Sequence, residues 1–147
     1  RHLREGCGPL ILTPHPGELA RLCGLTAAEV QADRVGLALE KAKAWGVILV
    51  LKGAGTLTAT PDGRLWVNPT GNPGLATAGT GDVLAGVIGG LLAQGLSAEE
   101  EAVAGVYIHG AAGDCAAEEL GEVGMIAGDL LPRLPKVIRS VKQVGPI

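Results

Sequence analysis

The segment 78–86, Ala-Gly-Thr-Gly-Asp-Val-Leu-Ala-Gly, combines a glycine turn, the start of an apolar helix and a single carboxylate. The first turn of a helix exposes unpaired N–H groups and a partial positive charge, so it attracts anions such as phosphate. Gly79 and Gly81 lack a Cβ atom, so the backbone can approach a phosphate closely. Asp82 follows where a carboxylate could take a proton from a neighbouring hydroxyl. The segment predicts phosphoryl transfer to an alcohol; an ordinary N-cap aspartate is the open alternative.

Two further polar segments directly follow predicted strands. His15 and Glu18 come after the short apolar run 9–12, and Lys52 opens a Lys-Gly-Ala-Gly-Thr run after the continuously apolar stretch 47–51. Ligands bind at the carboxyl ends of the strands in an open parallel sheet, so we expect these residues to converge. The lysine precedes the glycines, so this run is not a Walker P-loop. A surface turn for His15 and a solvated side chain for Lys52 remain open alternatives.

The order of the predicted elements indicates an α/β fold. The apolar, β-branched run 47–51 is typical of a strand covered on both faces. Capping boxes at 26–29 and 97–100 predict helices that continue to Trp45 and to about Leu120. The other expected elements are a helix 18–23, a hairpin around Pro61-Asp62-Gly63, a long loop 68–80, a helix 82–94 and a last helix from about Asp129, interrupted at Pro132 or Pro135.

Composition narrows the class of protein. The chain has 147 residues, 47% hydrophobic and 18% charged, which suits one globular domain. A net charge of −3 without a basic run argues against nucleic-acid binding, and no apolar stretch reaches the roughly 18 residues of a membrane span. Cys7, Cys23 and Cys115 are widely spaced, which indicates neither disulfides nor a zinc site and favours a cytoplasmic location. Because the chain begins with Arg1, we interpret it as a piece of a longer protein.

Several segments together resemble the ADP/ATP-dependent NAD(P)H-hydrate dehydratase family. The resemblance is carried by residues 12–22, 51–56, 68–74 and 78–86, and it continues through 107–114. It implies a ribokinase-like, layered α/β/α fold with a mainly parallel sheet, in which residues 1–147 form the C-terminal part of a single domain. The activity it implies is the dehydration of NADHX and NADPHX, hydrated forms of the reduced nicotinamide cofactors, back to NADH and NADPH at the expense of ADP or ATP.

The resemblance also implies roles for individual residues. It places His15 and Asp82 beside the hydrated nicotinamide, where we expect Asp82 to act as the catalytic base. The residues that it places around the nucleotide are Lys52, Gly53, Ala54, Gly55, Thr56, Asn72, Gly79, Thr80 and Gly81. No residue is expected to be a dedicated metal ligand, because Mg²⁺ can be held mainly by substrate phosphates.

The implied partners are small molecules and further copies of the chain. ADP is the first choice of co-substrate, ATP the second, with Mg²⁺ as cofactor. The resemblance also implies a homo-oligomer, with a tetramer favoured. Two other functions stay open: a small-molecule kinase of the same fold, acting on a sugar, a vitamin or a thiazole alcohol, and a nucleotide-binding fragment without turnover.

Overall fold

The sheet of this protein is mixed. The computed structural model describes residues 8–95 and 97–144. Four strands lie side by side in chain order, namely β1 (Ile11–Leu12), β2 (Ile48–Leu51), β3 (Leu57–Ala59) and β4 (Leu65–Val67). The β1–β2 pair is parallel, and the β2–β3 and β3–β4 pairs are antiparallel. A mainly parallel sheet is therefore the wrong expectation for the described strands. The short connections 52–56 and 60–64 cannot form the crossovers that parallel pairing requires.

Helices cover the sheet on both faces. They are α1 (Pro16–Cys23), α2 (Ala27–Ala32), α3 (Arg34–Trp45), α4 (Thr80–Leu92), α5 (Ala98–Leu120) and α6 (Leu134–Val144). Leu49 and Leu51 of the central strand pack into a buried cluster with α1, α2 and α3. Ile48 and Val50 point the other way, into a cluster with α4 and α5. All four strand residues are buried, as the continuous apolar run predicts, and the layered α/β/α arrangement is confirmed.

The predicted single helix from the capping box at 26–29 to Trp45 is wrong, because it breaks at Asp33. The box itself is formed by Thr26 and Glu29. The Asp33 backbone leaves the helical region, and its carboxylate accepts a hydrogen bond from the Gly36 N–H at 2.8 Å, which starts α3. A Cβ atom at Gly36 would lie 2.2 Å from that carboxylate, so the break depends on glycine at this position. It places Arg34 at the N-terminus of α3.

The remaining elements follow the predictions closely. Helix α4 begins at Thr80 instead of Asp82, and α5 ends at Leu120 as expected. The loop 68–80 contains a 3₁₀ turn, Pro73–Ala76. The expected interruption of the last helix is confirmed, because a 3₁₀ segment, Ala127–Arg133, precedes α6.

Two expectations based on composition concern the whole chain. Cys23 and Cys115 are free thiols, while Cys7 lies outside the described residues. Within residues 8–95 and 97–144, no helix has the length and apolar character needed to cross a bilayer.

The glycines of α5 allow neighbouring segments to approach its backbone. A Cβ atom at Gly105 would lie 2.6 Å from the Ile88 side chain of α4. At Gly110 it would lie 2.8 Å from the backbone carbon of Thr70, in the loop that precedes α4. Both the loop 68–80 and α4 therefore pack directly against α5.

We expect opposite effects of alanine at two helical glycines. Gly110→Ala should lower the free energy of unfolding by about 1–3 kcal/mol, because the Thr70 backbone must move. Gly90→Ala, where an added Cβ would meet no atom of the described neighbouring segments within 4 Å, should raise it by about 0.5–1 kcal/mol through helix propensity. Urea denaturation of the full-length protein measures both. Equal effects would show that α5 and the loop are not in close contact.

Candidate active site

The carboxyl ends of β1 and β2 bring the first two polar segments together. The Lys52 N–H donates to the Pro14 carbonyl at 2.9 Å, which continues the parallel pairing beyond the strands. The Lys52 Nζ atom then lies 3.6 Å from the Glu18 Oε2 atom. Both side chains are partly exposed, so the pair is open to a ligand. The expected convergence of these segments at one sheet edge is confirmed.

His15 is the N-cap of α1. Its Nδ1 atom accepts hydrogen bonds from the N–H groups of Gly17 and Glu18, at 3.1 and 3.2 Å. The Glu18 carboxylate accepts from the His15 N–H at 2.6 Å in return. This backbone hydrogen bond is the main cause that lowers the pKa of Glu18; burial opposes it, and the Lys52 ammonium adds to it. The cap orients an exposed imidazole, whose Nε2 atom lies 3.5 Å from the Glu18 Oε1 atom.

The N-terminus of α4 lies against the same lysine. Gly79 precedes the helix with a φ of +88°, which favours glycine. A Cβ atom at Gly81 would lie 3.0 Å from Lys52 Nζ, so glycine lets the ammonium approach the first helical turn. Asp82 is the next residue, and its side chain is exposed. An ammonium, the N–H groups of a helix N-terminus and a carboxylate are thus adjacent at one place.

The Thr80 side chain holds the loop in place. Thr80 is buried, and its hydroxyl lies 2.7 Å from the Leu75 carbonyl and 2.9 Å from the Thr77 carbonyl, both of which accept. Its backbone N–H lies in the first turn of α4, where N–H groups have no carbonyl partner within the helix. Contact between Thr80 and a nucleotide remains a prediction.

His109 of α5 contacts the first turn of α4 from the buried side. The residue is 8% exposed, and its Nε2 atom donates to the Thr80 carbonyl at 2.9 Å. Burial is the main cause that lowers the pKa of His109; the Thr80 hydrogen bond opposes this, and the Lys52 ammonium lowers it further. His109 is therefore a packed residue that positions the turn, and its side chain does not face the open edge of the sheet.

The turn 52–56 is shaped by two glycines and one hydroxyl. Gly53 and Gly55 have φ values of +145° and +59°. The Thr56 hydroxyl donates to the Gly53 carbonyl at 3.0 Å and closes the turn. The backbone of this turn therefore lies open at the sheet edge beside Lys52, as binding of a flat or anionic ligand by backbone groups requires.

Arg34 is a positioning residue that the sequence reasoning missed. Its guanidinium donates to the carbonyl of Ala54 at 2.6 Å and, more weakly, to those of Leu51 and Gly55 at 3.4 Å. Arginine thereby fixes the turn 52–56 from α3. The signal in the sequence is the Asp33 and Gly36 pair, which predicts a new helix start and so places Arg34 in the first turn of that helix.

The loop 68–80 is held by a second missed residue, Asp114 of α5. Its two carboxylate oxygens accept from the Gly71 N–H and from the Asn72 amide, both at 2.9 Å. A carboxylate among the small residues of a buried helix is the signal that could have found it. Asn72, a predicted nucleotide contact, uses both ends of its side chain within the protein, since its oxygen accepts from the Gly74 N–H at 3.0 Å.

The geometry defines a class of protein. An α/β/α fold with a helix N-terminus, a lysine and an exposed carboxylate at one sheet edge has the parts needed to bind a phosphate and activate a hydroxyl. Within the described ranges, no three His, Cys, Asp or Glu side chains converge as metal ligands would.

The family of the chain follows from comparison with known proteins. Residues 3–136 match the family model of NAD(P)H-hydrate dehydratase, and the chain belongs to this family. It is 57% identical over 136 residues to the bifunctional NAD(P)H-hydrate repair enzyme Nnr of Moorella thermoacetica, covering 92% of this chain and 26% of that protein. It is 53% identical over 133 residues to the ADP-dependent (S)-NAD(P)H-hydrate dehydratase of Neisseria meningitidis, covering 90% and 45%.

Solved structures agree with this assignment. The ADP/ATP-dependent NAD(P)H-hydrate dehydratase of Bacillus subtilis, co-crystallised with ATP and Mg²⁺, superposes with a TM-score of 0.88 at 41% identity, covering 90% of this chain and 48% of that one. A ribokinase-like superfamily protein of Enterococcus faecalis superposes with a TM-score of 0.74 at 33% identity, covering 88% and 44%. The ribokinase-like fold is confirmed. The chain spans about a quarter to a half of the length of these relatives.

We expect His109 to make the stability of the protein pH-dependent. Its pKa is lower in the folded state than the ordinary 6.5, so the unfolded state takes up a proton first as the pH falls. The contribution of neutral His109 to the free energy of unfolding is fully present above the ordinary pKa, and it is lost as the pH falls below that value. The Tm of His109→Gln, which keeps a donor for the Thr80 carbonyl, should therefore fall less than that of the unaltered protein between about pH 7.5 and pH 5.5. Equal falls in both would contradict this assignment.

Proposed function

We propose that the protein to which this chain belongs dehydrates NADHX and NADPHX to NADH and NADPH at the expense of ADP or ATP. The proposal includes residues 1–147 as the C-terminal part of a single ribokinase-like domain. The observation that carries it is the arrangement around Gly81, where the Lys52 ammonium lies against the first turn of α4 and Asp82 follows directly. The names of the relatives support the same reaction.

The nucleotide in this proposal binds through its phosphates at the N-terminus of α4. Lys52 and the N–H groups of Thr80 and Gly81 supply positive charge, and Gly79 keeps the approach free of a side chain. The open backbone of Gly53, Ala54, Gly55 and Thr56 lies beside them and contacts the rest of the nucleotide. ADP is our first choice, because relatives such as the Neisseria meningitidis enzyme are named ADP-dependent.

Mg²⁺ fits this edge as an ion carried by the nucleotide. Lys52 and one helix end neutralise only part of the charge of a di- or triphosphate. Mg²⁺ binds through substrate phosphates and one or two carboxylates, and the carboxylates of Asp82 and Glu18 are the oxygen donors that the site offers. When bound, the ion neutralises charge on the transferred phosphoryl group.

Asp82 acts as the general base in the proposed reaction. Its carboxylate takes the proton of the hydroxyl on the hydrated nicotinamide ring, and the hydroxyl oxygen attacks the terminal phosphoryl group. The bond between that phosphorus and the bridging oxygen of the nucleotide breaks, and AMP leaves from ADP, or ADP from ATP. The N–H groups of the first turn stabilise the charge on the phosphoryl oxygens. The C–O bond then breaks, inorganic phosphate leaves, the adjacent ring carbon loses a proton and the ring double bond forms again. His15, oriented by its cap, lies where it can contact the ring.

Self-association and cytoplasmic location complete the proposal. We expect a homo-oligomer, with a tetramer favoured. Self-association is supported by large apolar side chains that are exposed on the described surface and that a second copy of the chain, or the rest of the protein, could cover. They include Tyr107 at 40%, Leu131 at 54% and Val123 at 103% exposure.

The decisive experiment supplies full-length protein with NADHX, Mg²⁺ and either ADP or ATP, and follows the return of NADH together with phosphate release. The proposed reaction yields both products in equal amounts. A kinase of the same fold would leave a stable phosphate ester and no free phosphate. Absence of turnover with either nucleotide would contradict the proposed function.

The Asp82→Asn variant should lose about 10²–10⁴-fold in kcat, the usual contribution of a general base, while it still binds nucleotide. Steady-state turnover of NADHX and nucleotide titration measure the two effects. Glu40→Gln, the same change at an exposed carboxylate on α3, is the control and should leave kcat unaltered. Turnover of the Asp82 variant at the rate of the control would exclude the role of base.

The Lys52→Met variant should weaken nucleotide binding about 10–100-fold, because a charged hydrogen bond to phosphate is lost. Calorimetric titration with the Mg²⁺ complex of ADP or ATP measures the change. Lys43→Met, at an exposed lysine in the last turn of α3, controls for the loss of one positive charge. Equal affinities of the two variants would remove Lys52 from the nucleotide site.

A further inference from the structure

Asp114 connects α5 to the loop before the proposed phosphate site. One carboxylate oxygen accepts from the Gly71 N–H and the other from the Asn72 Nδ2 group, each at 2.9 Å. The Asn72 oxygen accepts from the Gly74 N–H at 3.0 Å. The two side chains form a complementary donor–acceptor pair, and their remaining oxygens accept from the backbone N–H groups of Gly71 and Gly74 in the loop.

The hydrogen bonds continue from this pair to the start of α4. The Leu75 N–H donates to the Asn72 carbonyl at 3.1 Å, and the Leu75 carbonyl accepts from the Thr80 hydroxyl at 2.7 Å. Thr80 is the first residue of α4. Asp114 is therefore linked through three hydrogen-bonded steps to the helix turn that carries Gly81 and Asp82.

Packing leaves the loop little freedom to choose another position. A Cβ atom at Gly113 would lie 2.6 Å from the Leu75 side chain, and one at Gly110 would lie 2.8 Å from the Thr70 backbone. The Thr70 hydroxyl also donates to the Tyr107 carbonyl at 3.0 Å. The loop thus lies directly on α5, where Asp114 is the charged acceptor that sets its register.

We propose that Asp114 is a positioning residue for nucleotide binding, which acts through Asn72 and the loop 71–80 on the first turn of α4. The inference rests on the proposed function for the identity of the ligand. It also gives Asn72 an indirect role, because both ends of its side chain are used within the protein. The Asp114–Asn72 pair affects binding of the nucleotide phosphate at the N–H groups of Thr80 and Gly81.

An exchange of the two side-chain types tests this pairing in the full-length protein. Asp114→Asn turns an amide donor towards the Asn72 donor, and Asn72→Asp sets two carboxylates against each other. Each single variant should raise the Kd for the Mg²⁺ complex of ADP or ATP about tenfold. The double variant Asn72→Asp/Asp114→Asn restores one donor and one acceptor and should return the Kd to within about threefold of the original.

Control measurements separate positioning from mere stability. Glu118→Gln, at an exposed carboxylate one turn further along α5, should change neither Kd nor Tm. A fall in Tm of the single variants without a change in Kd would overturn the proposal, as would equal Kd values for the single and double variants. If Asp114→Asn does not fold, the comparison of Asn72→Asp with the double variant decides the question.

Nucleotide titration distinguishes this proposal from the proposed function. Protein that binds the nucleotide but does not return NADH would contradict the reaction, and the Kd series would still support or overturn the role of Asp114. Protein that binds neither nucleotide would overturn both.

Discussion

The arrangement of this site depends on one contact, in which the first turn of α4 packs against the Lys52 ammonium. Gly81 leaves room for the ammonium against the first turn, since a Cβ atom at this position would lie 3.0 Å from Lys52 Nζ. Two hydrogen bonds fix the position of this turn. The His109 imidazole donates to the Thr80 carbonyl, and the Thr80 hydroxyl donates to the Leu75 carbonyl in the preceding loop. An oriented helix end and a fixed ammonium do not need to reorganise when an anion arrives, which is the condition under which such groups contribute most.

The polar residues of the site divide into those that shape it and those that face outward. Arg34, Thr80 and Asp114 form hydrogen bonds that hold the loops of the site in position. Asp82 and His15 have exposed side chains at the edge of the sheet. Glycines at the site leave backbone N–H groups accessible, and the side chains behind them determine where those groups lie.

The sequence predicted the parts of the fold that depend on local patterns. The two capping boxes and the apolar run of β2 are local patterns, and the helix starts and the strand that they predict are present. The direction of β3 and the break at Asp33 were missed, because they depend on connection length and on a single cap. Arg34 and Asp114 were missed for another reason. Each contacts a loop 17 to 43 positions away, as between Arg34 and Leu51 or Asp114 and Gly71, and no local spacing shows such contacts.

The Glu18–Lys52 pair decides how readily the site can accept a phosphate. An ion pair between partly exposed side chains contributes only about 0–1 kcal/mol, so Lys52 can exchange Glu18 for a phosphate oxygen at little cost. A stronger, buried partner would hold the lysine away from a ligand. His109 adds to this arrangement from the buried side, because the lowered pKa of its imidazole favours the neutral form next to the lysine. The positive charge of the site is consequently concentrated on Lys52 and on the helix end, at the surface where an anion can reach both.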